Sequence, residues 1–285
     1  MRTVAPVSEL QALVHEAERP LGFVPTMGAL HAGHAALVRR CRNECATTVV
    51  SIFVNPLQFG QGEDLERYPR TPEADQALLQ ELQCDVLFMP SAREVYPAGR
   101  RRRVSAGPLG EILEGAARPG HLDGVATVVA TLFDMVEPDR AYFGRKDAQQ
   151  LAVVEAIARE WERPLEIVPC DIVRDPDGLA LSSRNAYLKP AEREQALGLS
   201  GGLRRAERAW REGLRDAAEL EVLARSPGLH YDYALCVDPA GFGAPRPGGP
   251  LLLVVAARVA GVRLIDNILL GGQQPAESGW VCRQT

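Results

Sequence analysis

Two histidines, His31 and His34, flank Gly33 in the string Pro25-Thr26-Met27-Gly28-Ala29-Leu30-His31-Ala32-Gly33-His34. The apolar run Leu21-Gly22-Phe23-Val24 before it reads as a first β-strand, and residues 35–40 after it read as a helix. The histidines therefore fall at a strand-to-helix turn. A helix N-terminus carries unpaired N–H groups and partial positive charge, which suit an anion such as phosphate. Gly28 and Gly33 permit close backbone approach. At helical spacing the two imidazoles share one face and can aim donors at the same oxygens. The plainer reading is a tight turn with two capping or surface histidines.

Four further segments carry chemistry-bearing side chains. Gly144-Arg145-Lys146-Asp147 opens a helix after a strand, so its N–H groups and the Lys146 ammonium can meet phosphate oxygens. Of 32 basic residues only Lys146 and Lys189 are lysines. Arg145 already supplies charge beside Lys146, so the compact ammonium is the distinguishing feature there. Leu181-Ser182-Ser183-Arg184-Asn185 offers two hydroxyls and a guanidinium in succession, suited to phosphate or to a polar interdomain turn. Asn55-Pro56-Leu57-Gln58-Phe59-Gly60 places two amides directly after an apolar strand. His121, in Arg118-Pro119-Gly120-His121-Leu122, fits a site residue or a capping or packing histidine.

Positioning these segments requires alternating strands and helices. Residues 47–54 and 85–89 read as buried strands, with a helix over 71–82 opened by Thr71 and Pro72. Residues 125–136 read as a buried helix, 140–143 as a strand, 147–160 as a helix and 165–168 as a strand. This alternation predicts an α/β fold, a Rossmann-like doubly wound parallel sheet that binds ligands at the strands' carboxyl ends. The segments at 25–34, 55–60 and 144–147 all follow strands and so converge on that edge. After residue 176 the pattern changes to a helix over 191–212, then strands over 232–237, 251–258 and 262–267, with a hairpin at 258–262. The expected division is a Rossmann-like ligand-binding domain over residues 1–176 and a smaller α+β C-terminal domain over 177–285.

Composition narrows the function classes. A 46% hydrophobic and 24% charged chain is that of a soluble globular protein. The net charge of −5 argues against general nucleic-acid binding. Arg100-Arg101-Arg102-Arg103 is the local exception, read as a solvated loop. Neither a membrane-spanning stretch nor a signal-peptide layout is visible, so the expected compartment is cytoplasmic. Six scattered cysteines without a Cys-x-x-Cys pair read as reduced, mostly buried thiols.

The His-x-Gly-His turn resembles the nucleotide-binding signature of nucleotidyltransferases and class I aminoacyl-tRNA synthetases. The longer Pro-Thr-Met-Gly-Ala-Leu-His-x-Gly-His string is narrower and resembles the pantoate–β-alanine ligase family. Val-Asn-Pro-x-Gln-Phe at residues 54–59, Gly-x-Lys-Asp with Gln149-Gln150, Ser-Ser-Arg-Asn at 182–185 and the Arg263–Asn267 segment match that family in order. Ala148 and Leu122 stand where relatives commonly carry an aromatic residue.

The resemblance implies ATP-dependent condensation of (R)-pantoate with β-alanine through a pantoyl-adenylate, releasing AMP and pyrophosphate. By the same resemblance ATP is held by Met27, Gly28, Ala29, Leu30, His31, Ala32, Gly33 and His34, by Gly144, Arg145, Lys146 and Asp147, and by Val173, Leu181, Ser182, Ser183 and Arg184. Asn55, Gln58 and Gln150 hold the substrates. His34, His31 and Lys146 are the catalytic candidates, with His34 the proton donor or transition-state stabiliser because its position starts the helix. Mg²⁺ is expected with ATP; its protein ligands are unknown, with Asp75 and Asp147 only weak candidates. A homodimer, and a lid role for the C-terminal domain, are also implied. Two rival readings share the turn: a nucleotidyltransferase acting on a phosphorylated acceptor, and a nucleotide-binding regulatory module without turnover.

Overall fold

The computed structural model describes residues 1–98 and 103–272. Arg100–Arg102 of the arginine run, and Cys282, lie outside the described residues. The chain divides into two compact units, one comprising Met1–Arg145 and Gln149–Cys170, the other Lys146–Ala148 and the chain from Asp171 onward.

The first unit holds strands β1 (Arg2–Val4), β2 (Leu21–Thr26), β3 (Thr47–Ile52), β4 (Val86–Phe88), β5 (Arg140–Gly144) and β6 (Glu166–Cys170). They form one parallel sheet in the order β1-β4-β3-β2-β5-β6. Its helices are α1 (Val7–His15), α2 (Ala32–Glu44), α3 (Pro72–Glu81), α4 (Ala92–Val95), α5 (Glu114–Ala117), α6 (His121–Val136) and α7 (Ala148–Arg159). Period-two alternation sorts the central strands between two cores. Phe23, Val49, Phe88 and Phe143 pack with Leu10 and Val14 of α1, with Phe133 of α6 and with Val154 of α7. Val24, Val50, Leu87 and Tyr142 pack with Leu37, Val38 and Cys41 of α2 and Leu79 of α3. Both faces are covered, which is why these strands read as continuous apolar runs.

Several boundaries differ from the sequence reading. Leu21 opens the second strand, not the first, because the short β1 precedes it and pairs with β4. α6 begins at His121, four residues early, with Gly120 as its cap at φ 79°. His121 and Leu122 therefore belong to the helix. α2 begins at Ala32, so His34 is its third residue and His31 is its cap.

In the second unit, β7 (His230–Val237), β8 (Leu251–Val259) and β9 (Val262–Leu270) form an antiparallel sheet. Two helices, α8 (Pro190–Arg211) and the unanticipated α9 (Ala217–Ala224), pack Leu199, Leu203, Leu220 and Ala224 on Leu251, Leu253, Val255 and Ala257. Ala260 and Gly261, both at positive φ (48° and 83°), make the two-residue turn of the β8–β9 hairpin.

Candidate active site

The turns after β3, β2 and β5 leave three adjacent parallel strands at their carboxyl ends. After β2, Gly28 (φ 80°) and Ala29 (φ 47°) are both left-handed, so the chain reverses sharply before α2. Buried Asp75 of α3 holds this reversal. Its carboxylate accepts the N–H of Ala29 at 2.9 Å, the N–H of Leu30 at 2.8 Å and the Thr71 hydroxyl at 3.0 Å. Asp75, a weak metal-ligand candidate by sequence, is instead the anchor of the histidine loop. Thr71 is the N-cap of α3, as its place before Pro72 predicts, and its hydroxyl donates to Asp75 rather than accepting from a helix N–H.

His31 and His34 cap α2 reciprocally. His31 Nδ1 accepts the Gly33 N–H at 3.1 Å, and His34 Nδ1 accepts the His31 N–H at 3.3 Å. This is a capping box with imidazoles in place of the usual hydroxyl and carboxyl groups. A neutral imidazole that accepts at Nδ1 carries its proton on Nε2. Both rings are thus set as Nε2–H donors, with centroids 4.1 Å apart. The capping reading of the sequence is the arrangement observed.

After β3, Pro56–Gln58 forms a 3₁₀ turn whose polar groups are tightly paired. Asn55, 1% exposed, donates from Nδ2 to Gln58 Oε1 (3.0 Å) and to the Gly124 carbonyl (3.1 Å). Its Oδ1 accepts the Leu57 N–H at 3.1 Å and the Tyr96 hydroxyl at 2.8 Å. Burial pushes the Tyr96 phenol up, which keeps it a donor. Gln58 Nε2 lies 3.1 Å from Met27 Sδ, linking this turn to the histidine loop. Asn55 therefore acts as the orienter of Gln58, its four hydrogen-bonding positions all engaged.

In α7, buried Gln149 donates to the carbonyls of Leu109 (2.6 Å) and Ile112 (2.9 Å) and accepts the Glu114 N–H (3.0 Å). Gln150 beside it is half-buried. Of the Gln-Gln pair, the first is structural.

In the second unit, Lys146 Nζ lies 3.1 Å from Asp147 Oδ2, and the Lys146 carbonyl accepts from Asn267 Nδ2 at 2.9 Å. Ser182 caps the 3₁₀ helix Ser183–Tyr187 by accepting the Arg184 N–H. The Leu181 N–H donates to the Val173 carbonyl at 3.0 Å, so these two expected ATP contacts face each other across a turn. A buried bidentate pair between Arg174 and Asp266 (2.6 and 2.9 Å) ties that turn to β9. Asp266 and Asn267 stand out in the sequence only as part of a terminal pattern; they brace Arg174 and the Lys146 backbone.

The five described cysteines are unbridged and buried. Burial pushes the Cys41, Cys84 and Cys236 thiols up, so they are packing residues.

The pantoate-beta-alanine ligase family model matches residues 1–269. The chain belongs to the pantoate–β-alanine ligase family. A pantothenate synthetase from Acidobacterium capsulatum is 48% identical over 291 residues, covering 95% of this chain and 97% of the relative. The crystal structure of a pantothenate synthetase from Thermus thermophilus matches with a TM-score of 0.87 at 47% identity, over 94% of this chain and 99% of that one. A Francisella tularensis pantoate-beta-alanine ligase, solved as a complex with beta-gamma ATP and beta-alanine, matches with a TM-score of 0.80 at 33% identity, over 94% of this chain and 97% of that one. Ligase family membership accounts for the six-stranded parallel sheet and the small antiparallel sheet alike. No described helix is long and apolar enough to cross a membrane.

Proposed function

We propose that this ligase-family chain adenylates (R)-pantoate with ATP and then transfers the pantoyl group to β-alanine, releasing pyrophosphate and AMP. A carboxylate resists attack by an amine because the leaving group would be an oxide. Attack of the carboxylate on the α-phosphorus expels pyrophosphate and makes a mixed anhydride; the amine then expels AMP and loses a proton. The observation that carries the reading is the paired Nε2–H donors of His31 and His34, on the turn beside the one that bears Gln58.

Charge develops on the α-phosphate oxygens and the departing pyrophosphate, which calls for preorganised donors. We assign His34 and His31 to the α-phosphate, with His34 the principal stabiliser. Its warrant is the fixed tautomer rather than the first helical position. Lys146, Ser182, Ser183 and Arg184 are assigned to triphosphate oxygens, and the backbone of Met27–His34, Gly144–Asp147, Val173 and Leu181 to the rest of ATP. Gln58 and Gln150 hold pantoate, with Asn55 orienting Gln58.

Among the described residues no group of three His, Cys, Asp or Glu is arranged to hold a metal. With Asp75 engaged by amides, Mg²⁺ fits as an ion carried by the phosphates, with Asp147 the remaining candidate carboxylate; bound there it neutralises phosphate charge. The homodimer and the lid role of residues 177–285 rest on the resemblance, the cytoplasmic compartment on the sequence layout and the 176/177 division on the change of element pattern after residue 176; all belong to the same proposal.

Exchange of labelled pyrophosphate into ATP tests the reading. It should require pantoate and proceed without β-alanine. Exchange supported only by a phosphorylated acceptor would favour the nucleotidyltransferase, and binding of ATP without exchange the regulatory module.

A further inference from the structure

Gln58 is held by its side chain through Asn55, but its backbone is held by a separate, partly buried chain of side chains that ends in buried His121. Glu63 accepts from Arg118 twice, at Oε1 from Nε (2.7 Å) and at Oε2 from Nη2 (2.7 Å). Arg118 Nη1 lies 2.9 Å from His121 Nε2, and His121 Nδ1 lies 2.8 Å from the Gln58 carbonyl oxygen. A guanidinium can only donate and a carbonyl can only accept. His121 therefore accepts at Nε2 and donates from Nδ1, the opposite tautomer to His31 and His34. Arg118 Nη2 reaches the same carbonyl at 3.4 Å.

The ground beneath this contact is close-packed. A Cβ on Gly124, one turn further along α6, would sit 2.2 Å from the Leu57 carbonyl oxygen, so the backbone of the turn lies directly on the helix. Gly124 also accepts from Asn55. The first turn of α6 is thus a platform that grips the Asn55–Gln58 turn at side chain and main chain together. Burial and the adjacent Arg118 charge push His121 down to about 4, which keeps the ring neutral and this tautomer intact at neutral pH.

We infer that His121, set by Arg118 and Glu63, is a positioning residue for the substrate carboxylic acid, acting through the Gln58 carbonyl. The inference rests on the assignment of Gln58 to pantoate. His121 itself touches no reacting atom. What it fixes is the pitch of the 3₁₀ turn, and through it the direction in which the Gln58 amide points.

Asparagine places an N–H donor near the position of imidazole Nδ1, whereas glutamine places its amide near Nε2. His121→Asn should therefore keep the bond to Gln58, and His121→Gln should lose it. In steady-state assays His121→Ala and His121→Gln should raise the KM for pantoate about tenfold, the size of one lost buried hydrogen bond, with the KM for ATP unchanged. His121→Asn should stay within about threefold of the wild type. Equal effects of Asn and Gln, or a parallel rise in the KM for ATP, would overturn the inference. Gln58→Ala is measured alongside. If it leaves the pantoate KM unchanged, the assignment of Gln58 fails; if it raises that KM while the His121 series does not sort as stated, the His121 inference alone fails. Nitrogen-15 NMR of the wild-type imidazoles needs no variant to fold. A proton on His121 Nδ1 supports the relay, and a proton on Nε2 overturns it.

Discussion

His34 Nδ1 accepts the backbone N–H of His31, while His31 Nδ1 accepts the N–H two residues on, from Gly33. The two side chains that face the proposed phosphate also terminate the helix that presents them. His34→Ala should lower kcat on the order of a hundredfold, as for one preorganised donor, with little change in the KM for ATP. Loss of the cap adds about 1 kcal/mol of instability. Near-native turnover would make His34 a cap and nothing more.

Asp75 holds the loop that carries those histidines. Asp75→Ala leaves two amides without their acceptor, at about 1–3 kcal/mol for each buried group. Gly28→Ala brings a Cβ to 3.0 Å from Ile52 and 3.1 Å from the Asp75 carboxylate at φ 80°, a conformation that L side chains rarely adopt. Both variants should unfold at lower denaturant and lose pyrophosphate exchange more than ATP binding. An Asp75→Ala protein with normal exchange would show that the loop holds its shape unaided.

Lys146→Arg preserves charge but replaces a compact ammonium with a larger planar fork. The side chain is 17% exposed and already beside Asp147. We expect kcat/KM for ATP to fall at least about tenfold. Wild-type kinetics in the arginine variant would mean that charge alone suffices.

Stability should fall on acidification in two stages. His121, pushed down to about 4 by burial and by Arg118, binds its proton more readily when unfolded; Glu114 and Glu63, which also face it, pull the other way. Its contribution is complete above the unfolded value of 6.5 and is lost as pH falls toward 4. That window is worth roughly 3 kcal/mol. For Glu63, burial raises the carboxyl pKa, but the Arg118 bonds and charge outweigh it and hold the group at about 2. Its contribution is present above 4.5 and lost between 4.5 and 2. Urea unfolding as a function of pH should show the first stage in the wild type and a flatter curve in His121→Asn. Identical slopes would contradict the assignment.

The central strands are legible in the sequence because burial on both faces writes them as apolar runs, and the segments at 25–34, 55–60 and 144–147 because each follows such a strand. Helix starts are less legible. His31 and Gly120 are unusual caps, so α2 and α6 read as beginning later than they do. β1 is too short to leave a pattern. Asp75 reads as a metal candidate because its partners, the amides of Ala29 and Leu30, lie more than forty positions away and leave no side-chain signature. The amide of Asn55 shows the same limit, since the Gly124 carbonyl and the Tyr96 hydroxyl that it bonds lie 69 and 41 positions away. His121 is ambiguous for that reason, since its tautomer is set by Arg118 on one side and a distant carbonyl on the other.

The most direct measurement follows the carboxylate oxygens of pantoate. If the carboxylate attacks the α-phosphorus, one of its oxygens stays on the nucleotide when β-alanine displaces AMP. Pantoate labelled with ¹⁸O in the carboxylate should therefore give labelled AMP and unlabelled pyrophosphate. Label in inorganic phosphate, with ADP as the co-product, would mean an acyl-phosphate route and would contradict the adenylation on which the site assignments rest.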